Sequence, residues 1–268
     1  MAYEILVLDI DGTLTNSKKE ISPKTLEAIL TIQERGHTVV LSSGRPTPGI
    51  TRLANELKLS NYNGFILSYN GGKIINCSTN EIIYQKLLNK DLIPSLYHDA
   101  IEHNIGIMSY ENDYIIAGTP IDQYMELESR INNIPIKKVD NFIDYMNFDV
   151  NKCIMTADGT YLETIEPIIR ERYKDTLNVY RSEPFFLEIM PQNIDKAYSL
   201  GKLLDHLGLS KEQMISCGDG YNDLTMIEYA GMGVAMANAR DVVKEAANFI
   251  TLSNDNDGIA HVIHEFML

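Results

Sequence analysis

The sequence predicts an α/β protein in which a doubly wound, mostly parallel sheet is interrupted by an inserted α+β domain. Near both ends of the chain, short apolar segments alternate with amphipathic segments of helical period, as buried parallel strands and their covering helices do. The middle of the chain lacks this regular alternation. Aspartates and other polar residues directly follow several apolar segments, at the strand ends where open α/β sheets bind ligands.

The first part of the chain contains three predicted parallel strands and the helices between them. One helix, in SPKTLEAILTIQERG, has Ser22 as its N-cap, Pro23 at its first position and Gly36 just past its end. A second helix is predicted around Thr51 to Leu57. The strands are EILVLDI, HTVVLSSGR and GFILSYNGG. Their strand–helix–strand order implies right-handed crossovers within one sheet.

The middle of the chain mixes helices with adjacent strands, which indicates an α+β domain with an antiparallel sheet. A predicted hairpin in KIINCSTNEIIYQKLL precedes it, with a polar turn at Ser78 to Asn80. The helical patterns cover Asp91 to His103, Ile121 to Asn132 and Tyr161 to Lys174. The predicted strands are IGIMSY, DYIIAG, VNKCIMTA, NVYRS and FFLEIM.

The alternation of strands and helices returns from about Gln192. Asp195 is a candidate N-cap for an amphipathic helix, and the strand EQMISCGDG follows that helix. A helix in YNDLTMIEYAG is closed by Gly231, and a final helix begins at Gly258. Between them lie the segments GVAMANA and DVVKEAANFI. The sheet domain is therefore predicted to be discontinuous, with residues 1–83 and 189–268 forming the core and residues 84–188 the inserted domain.

The composition and net charge of the chain indicate which partners and which cellular compartment to expect. The formal net charge of −14 gives a surface that repels nucleic acid and anionic lipid, so we expect neither as a partner. Early carboxylates, and the lack of any apolar run near the ~18 residues of a membrane helix, argue against a signal peptide or membrane span. Cys77, Cys153 and Cys217 lack metal or redox spacing, which indicates reduced thiols in a cytoplasmic protein. We expect a monomer or a weak homodimer.

Polar residues that are distant in sequence should converge at one edge of the predicted sheet, because the carboxyl ends of parallel strands meet there. Asp9 and Asp11 end the first strand, and Lys196 begins a helix near the return to the sheet. The other candidates at strand ends are Ser43, Gly44, Arg45, Asn70, Asp219, Asn222 and Asp223.

The clustered aspartates need a nearby positive charge to stay ionised, because neighbouring carboxylates repel one another and burial disfavours their ionised forms. Mg²⁺ prefers oxygen ligands, accepts a few carboxylates and keeps positions for water and phosphate oxygens. The sequence therefore predicts Mg²⁺ as the cofactor, aided by the amine of Lys196. The candidate metal ligands are Asp9, Asp11, Asp219 and Asp223.

Such a site favours phosphoryl transfer to a carboxylate. An aspartate beside Mg²⁺ can attack phosphorus and form an aspartyl phosphate. A carboxylate two residues further on can protonate the leaving oxygen and later activate water. Ser43 and Lys196 can bind the phosphoryl oxygens as charge shifts during the transfer.

Four segments of the chain resemble the ordered motifs of the haloacid dehalogenase-like superfamily. They are DIDGT (Asp9 to Thr13), LSSGR (Leu41 to Arg45), Lys196 and GDGYND (Gly218 to Asp223). The segments MIEYAGMGVAMANA and NDNDGIA, and the position of the insertion, are similar to the Cof-type branch of sugar-phosphate phosphatases. The resemblance spans the whole chain and implies a Rossmann-like core with a cap domain.

The resemblance implies a role for each matching residue of the first three motifs. Asp9 would be the nucleophile and a ligand of Mg²⁺. Asp11 would be the general acid/base and would offer its backbone carbonyl to the metal. Ser43 and Lys196 would hold the phosphoryl group, and Ser43 keeps the hydroxyl of the threonine that is more usual at its position.

The fourth motif would complete the metal and phosphate sites. The resemblance implies that Asp219 is the third protein ligand of Mg²⁺, that Asp223 is an occasional or more remote ligand, and that Asn222 contacts phosphate. The candidate substrate-binding residues are Gly44, Arg45, Asn70 and Asn222. Alternatively, Arg45 and Asn70 could have a purely structural role and stabilise the loops in which they lie.

The expected function is therefore Mg²⁺-dependent hydrolysis of a small phosphorylated metabolite. Hexose phosphates and other sugar phosphates are the expected substrates, with pyridoxal phosphate and flavin mononucleotide as related candidates. A phosphosugar mutase and a receiver-type phospho-acceptor are the alternatives. A receiver needs neither an acid/base group two residues after its acceptor nor a large inserted cap, and a mutase would depend on a bisphosphate activator.

Overall fold

The computed structural model describes residues 3–268 and divides into two compact units. The first comprises Met1–Gln85 and Asp195–Leu268, and the second comprises Lys86–Ile194. The insertion expected from the sequence, residues 84–188, begins two residues earlier and ends six residues earlier than this unit.

Fourteen strands are found in the described part of the chain. They are β1 (Ile5–Leu8), β2 (Thr38–Ser42), β3 (Phe65–Ser68), β4 (Lys73–Asn76), β5 (Ile82–Gln85), β6 (Gly106–Glu111), β7 (Tyr114–Ala117), β8 (Ile136–Lys138), β9 (Cys153–Thr156), β10 (Leu177–Glu183), β11 (Phe186–Pro191), β12 (Met214–Gly218), β13 (Met232–Ala235) and β14 (Phe249–Ile250).

Ten α-helices accompany these strands over residues 3–268. They are α1 (Pro23–Glu34), α2 (Thr47–Glu56), α3 (Ile93–Glu102), α4 (Gln123–Asn132), α5 (Phe142–Tyr145), α6 (Gly159–Tyr173), α7 (Lys196–Leu207), α8 (Leu224–Tyr229), α9 (Asp241–Ala246) and α10 (Gly258–Phe266).

The sheet of the first unit has eight strands in the order β14-β13-β12-β1-β2-β3-β4-β5. The pairs from β14 through β3 are parallel, and β4 and β5 add antiparallel strands at one edge. The predicted doubly wound, mostly parallel sheet is therefore confirmed. The strand β1 lies at its centre, between β12 and β2.

Helices cover both faces of this sheet, so its central strand is buried on both sides. Leu6 and Leu8 of β1 belong to an apolar cluster that includes side chains of α1, α2, α9 and α10. Ile5 and Val7 belong to a second cluster that includes side chains of α7 and α8. All four residues of β1 are fully buried, which explains why this strand is continuously apolar.

A side-chain cap explains where α1 begins, and two prolines explain where α2 begins. The Ser22 hydroxyl accepts a hydrogen bond from the Thr25 N–H at 3.1 Å, so the predicted N-cap of α1 is confirmed. The helix α2 begins at Thr47 and not at the predicted Thr51. Pro46 is its N-cap and Pro48 lies in its first turn. The N–H groups of the first turn make no hydrogen bonds within a helix, so a proline there costs no such bond.

The second unit contains a six-stranded sheet in the order β10-β11-β9-β6-β7-β8. Its pairs are antiparallel, as expected, except that β8 pairs parallel to β7. The strand β8 and the helix α5 were not predicted, because three and four residues are too few to show a hydrophobic period. One apolar cluster joins this sheet to α3, α5 and α6.

The structure also provides information on possible membrane-spanning helices and on the state of the three cysteines. Within residues 3–268, every helix is too short or too polar to cross a bilayer. The three cysteines are free thiols, and Cys153 and Cys217 are buried. Burial raises the pKa of the Cys153 thiol to about 12, which makes it unreactive.

The N-cap of α7 offers a test of the fold close to Lys196. The Asp195 carboxylate accepts from the Tyr198 N–H at 2.8 Å, so Asp195→Ala should lower the free energy of unfolding by about 1 kcal/mol. The matched control is Asp205→Ala, which removes the same charge from an exposed position near the end of α7, where a carboxylate is not favoured by the helix dipole. Urea unfolding of both variants measures the difference, and an equal loss in the two would contradict the capping role.

Candidate active site

The predicted site residues come together at the carboxyl ends of neighbouring strands. Asp9 directly follows β1, Ser43 directly follows β2, and Asp219 directly follows β12. Because β12, β1 and β2 are adjacent and parallel, these three residues lie at the same edge of the sheet. Asn70 follows β3, the next strand along that edge.

A buried lysine links the two parts of the chain that form this sheet. Lys196 is the first residue of α7 and is 1% exposed. Its Nζ donates to Asp9 Oδ1 at 2.8 Å, to Asp223 Oδ1 at 2.6 Å and to the Ser42 carbonyl at 3.0 Å. Burial alone would lower the pKa of Lys196, but the charges of Asp223 and Asp9 outweigh it and hold that pKa above its ordinary value. Lys196 is therefore a cation.

Asp223 holds the turn that carries Asp219. Its Oδ1 accepts from Lys196, and its Oδ2 accepts from the backbone N–H groups of Asp219 at 3.0 Å and Gly220 at 2.9 Å. The Asp223 side chain is fully buried. All of these bonds are charge-assisted, so Asp223 fixes both the lysine and the loop after β12.

The glycine of the DIDGT segment leaves room for Asp219. Gly12 has φ +85°, a conformation that glycine adopts without strain. A Cβ at Gly12 would lie 2.4 Å from Asp219 Oδ2, so any larger residue would collide with that carboxylate. Thr13 donates its hydroxyl to Asp219 Oδ1 at 3.1 Å, a contact that was not predicted although Thr13 lies inside the motif.

The carboxylates at this edge of the sheet exceed the positive charge that the protein supplies. Burial and the charge of Asp223 raise the pKa of Asp9 above its ordinary value, in spite of the contact with Lys196. Burial and Asp223 also raise the pKa of Asp219 to about 6. Oxygen atoms of Asp9, Asp219 and Asp223 lie within 4.8 Å of one another. A hard divalent cation with oxygen ligands fits this set, because it supplies the missing charge.

The carboxylate of Asp11 lies outside this cluster. Its Oδ2 accepts from Arg45 Nε at 2.8 Å, and its Oδ1 accepts from both Arg45 Nη2 and Lys19 Nζ at 2.8 Å. Partial burial would raise the pKa of Asp11, but Arg45 and Lys19 outweigh that effect and lower it. The side chain of Asp11 is thus an ionised group held by two cations.

Lys19 was not predicted as a residue of this site. It lies eight positions after Asp11 in a polar turn, and no motif or hydrophobic period marks it. Only the folding of the loop after β1 brings it to Asp11. Arg45 was predicted to bind substrate, and in the structure its guanidinium contacts Asp11. A role of Arg45 as a substrate ligand stays a prediction.

The remaining candidates form a small polar group beside Ser43. Ser43 is buried, and its hydroxyl accepts from the Arg45 N–H at 3.2 Å. The Asn70 N–H donates to the Ser43 carbonyl at 3.0 Å, and Asn222 donates to the Asn70 side chain at 3.1 Å. A Cβ at Gly44 would lie 3.0 Å from the Asn70 amide, which explains a glycine there. The structure therefore groups all four candidate substrate-binding residues at one edge of the sheet.

The family to which the chain belongs follows from comparison with known proteins. The model of the haloacid dehalogenase-like hydrolase family matches residues 6–263. The chain belongs to this family. The resemblance inferred from the four motifs is thereby confirmed, and the chain is a haloacid dehalogenase-like phosphatase of the Cof type.

Two curated relatives from Bacillus subtilis (strain 168) match over almost their whole length. YxeH, which is named as a candidate phosphatase, is 34% identical over 275 residues, covering 99% of each chain. YcsE, named 5-amino-6-(5-phospho-D-ribitylamino)uracil phosphatase, is 31% identical over 265 residues, covering 99% of this chain and 96% of the relative.

Solved structures show the same fold. A haloacid dehalogenase-like hydrolase from Bacteroides thetaiotaomicron is 47% identical, with a TM-score of 0.95 over 98% of this chain and 99% of that one. A protein from Thermotoga maritima is 27% identical, with a TM-score of 0.91 over 99% of this chain and 98% of that one.

The raised pKa of Asp219 gives a test of the cation site. In the metal-free chain, Asp219 contributes stability below about pH 4 and loses it as the pH rises through about 6, because the folded state holds the proton more tightly. Asp219→Asn keeps the oxygen that Thr13 contacts and removes the charge. In EDTA, this variant should therefore unfold at a higher temperature than the native chain at about pH 7.5, and the gain should shrink towards about pH 4.

Thermal unfolding with MgCl₂ completes this test. Added Mg²⁺ should stabilise the native chain at about pH 7.5 and leave Asp219→Asn nearly unchanged, because a ligand that binds only the folded state raises its stability. The control is Asp205→Asn, which removes an exposed carboxylate on α7 and should respond to Mg²⁺ as the native chain does. An equal Mg²⁺ response in Asp219→Asn would contradict the assigned site.

Proposed function

We propose that this phosphatase hydrolyses small phosphomonoesters, with Mg²⁺ as its cofactor and an aspartyl phosphate on Asp9 as its intermediate. The observation that carries the proposal is the contact of one Asp9 oxygen with buried Lys196, beside the oxygen atoms of Asp219 and Asp223. This arrangement supports a nucleophilic carboxylate next to a cation site, since ionised Asp9 must be stabilised before it can attack.

Asp9 and Asp219 would hold Mg²⁺, with the Asp11 backbone carbonyl and Asp223 as further candidates. When bound, Mg²⁺ would supply the charge that these carboxylates lack and would orient a phosphoryl oxygen. Asp223 already uses both of its oxygens in bonds to Lys196 and to the Asp219 turn. We therefore infer that Asp223 acts mainly by holding its neighbours.

Asp9 would attack phosphorus with its Oδ2. Lys196 contacts Oδ1 of Asp9, and no donor within residues 3–268 is bonded to Oδ2. The attack breaks the bond between phosphorus and the ester oxygen and forms a bond between phosphorus and Asp9. Lys196, and the hydroxyl of Ser43, would bind the oxygens of the transferring group as their charge shifts.

Asp11 would move the protons in both steps. Because Asp11 is ionised in the free chain, it must first take up a proton, either from solvent or from the monoanion of the ester. In the first step it gives this proton to the leaving ester oxygen, and the alcohol departs. In the second step it takes a proton from the water that attacks phosphorus, which releases inorganic phosphate and regenerates Asp9. Arg45 and Lys19 would stabilise the ionised form that Asp11 adopts between these steps.

We propose sugar phosphates and related polyol phosphates as the substrate class. YcsE is named for a substrate that carries its phosphate on a ribityl chain, and such a chain resembles the open form of a sugar. The unit Lys86–Ile194 is the candidate cap. We place the enzyme in the cytoplasm, as a monomer or weak homodimer without nucleic-acid or membrane partners.

Phosphate release from a panel of esters tests this function. With Mg²⁺, the native chain should release phosphate from several sugar and polyol phosphates, and EDTA should abolish the release. Asp9→Asn should lower kcat by at least about 10³-fold, because it removes the nucleophile. Asp205→Asn is the control of equal charge change and should keep full activity.

The same panel distinguishes the alternatives. Activity that required a bisphosphate activator would indicate a phosphosugar mutase. No release from any ester, together with an aspartyl phosphate that persists for minutes, would indicate a phospho-acceptor of the receiver type. Full activity in Asp9→Asn would exclude Asp9 as the nucleophile.

The role of Asp11 predicts a dependence on the leaving group. Asp11→Asn should lower kcat/KM for an alkyl phosphate by about 10²- to 10⁴-fold, because kcat/KM reports the departure of the alcohol, and a poor leaving alkoxide needs a proton donor. Because kcat also includes the hydrolysis step, in which Asp11 is the base for every ester, kcat/KM is the quantity to compare. The loss should be much smaller for p-nitrophenyl phosphate, whose phenolate leaves without a proton. Equal losses for the two esters, measured by phosphate release, would contradict the general-acid assignment.

A further inference from the structure

The segment NDNDG near the end of the chain has no part in the mechanism above. We call residues Asn254–Gly258 the C-terminal segment and residues 16–20 the Lys19 turn. Three hydrogen bonds join the C-terminal segment to the loop that contains this turn: Asn254 Nδ2 to the Thr15 carbonyl at 2.9 Å, the Ser17 N–H to Asp255 Oδ1 at 2.8 Å, and Ser22 Oγ to Asp257 Oδ1 at 2.5 Å. The C-terminal segment therefore holds the loop after β1 in place.

The Lys19 turn also has a defined internal structure. The Asn16 side chain accepts from the N–H groups of Lys18 at 2.9 Å and Glu20 at 3.1 Å. The Lys19 N–H donates to the Asn16 carbonyl at 2.9 Å. Lys19 has φ +63°, in the left-handed region that a non-glycine residue adopts at a cost. Such a conformation persists only where the surrounding bonds hold it.

The turn directs the Lys19 ammonium at Asp11. Lys19 Nζ lies 2.8 Å from Asp11 Oδ1, the oxygen that also accepts from Arg45 Nη2. Arg45 Nε takes the other oxygen. The Arg45 side chain is 19% exposed and the Lys19 side chain is 64% exposed, so Lys19 is the outer of the two cations. The Asp11 carboxylate is therefore contacted at both oxygens by the planar guanidinium of Arg45 and at one oxygen by the ammonium of Lys19.

We propose that Lys19, held in place by the C-terminal segment, is a positioning residue that sets the orientation of the Asp11 carboxylate for proton transfer. This inference rests on the proposed function, since it assigns Lys19 to the acid/base step. Without Lys19, the two bonds from Arg45 would hold the carboxylate only in the plane of the guanidinium. The ammonium of Lys19 adds a contact to Oδ1 from a second element, and proton transfer to a leaving oxygen is sensitive to such small displacements.

Steady-state kinetics on two esters test the inference. Lys19→Met should lower kcat/KM for a hexose phosphate by about three- to five-fold, the size expected for an exposed ion pair, without a matching rise in KM. It should leave kcat/KM for p-nitrophenyl phosphate unchanged, because kcat/KM reports the departure of the leaving group, and that ester needs no proton donor for this step. Lys19→Arg should restore most of the loss. Lys18→Met is the matched control, because Lys18 is exposed in the same turn and has no ion pair within residues 3–268.

A remote variant tests the contribution of the C-terminal segment. Asp255→Ala removes the acceptor of the Ser17 N–H, and Asp255 itself has no hydrogen bond or ion pair with Asp11 or Lys19. It should produce the same selective loss on hexose phosphate, in the same direction as Lys19→Met. Equal losses on both esters, no loss in Lys19→Met, or the same loss in Lys18→Met would overturn the inference.

Crystal structures of the native chain and of Lys19→Met provide a readout that does not depend on activity. The Asp11 carboxylate should occupy one orientation in the native chain and should shift or split into two in the variant. An unchanged Asp11 in the variant would overturn the inference. If the native chain released no phosphate from any ester, the proposed function would fail, and the orientation of Asp11 would still decide whether Lys19 positions it.

Discussion

The ammonium of Lys196 is the interaction on which the rest of this site depends. It lies in the core of the first unit, where an unpaired charge is strongly disfavoured, and it contacts Asp9 and Asp223. Asp9 comes from the start of the chain, whereas Lys196 and Asp223 follow the inserted unit. One cation therefore joins the two segments that form the sheet, and it places the candidate nucleophile at the same time.

A single lysine does not balance the carboxylates that meet at this edge of the sheet. The pKa values of Asp9 and Asp219 are raised because burial and Asp223 disfavour their ionised forms. In contrast, the pKa of Asp11 is lowered, because Arg45 and Lys19 outweigh its partial burial. The site thus separates a carboxylate cluster suited to a metal ion from a neighbouring carboxylate that is paired with two cations.

The loop after β1 contacts both of these parts of the site. Gly12 allows Asp219 to approach, and the Gly12 carbonyl accepts from the Asn238 side chain at 2.8 Å. Further along the same loop, the Lys19 turn is bonded to the C-terminal segment. Asn238 and the C-terminal segment therefore both hold the loop that carries Asp11 and Gly12.

The sequence by itself determined the parallel sheet, the caps of α1 and α7 and the family, because apolar runs, capping residues and motif spacing are local features. It did not determine the start of α2, the short β8 and α5, or the contact of Lys19 with Asp11. Only the tertiary structure decided that Arg45 holds Asp11 and that Asp223 holds Lys196, because side-chain contacts between distant segments depend on how the whole chain packs.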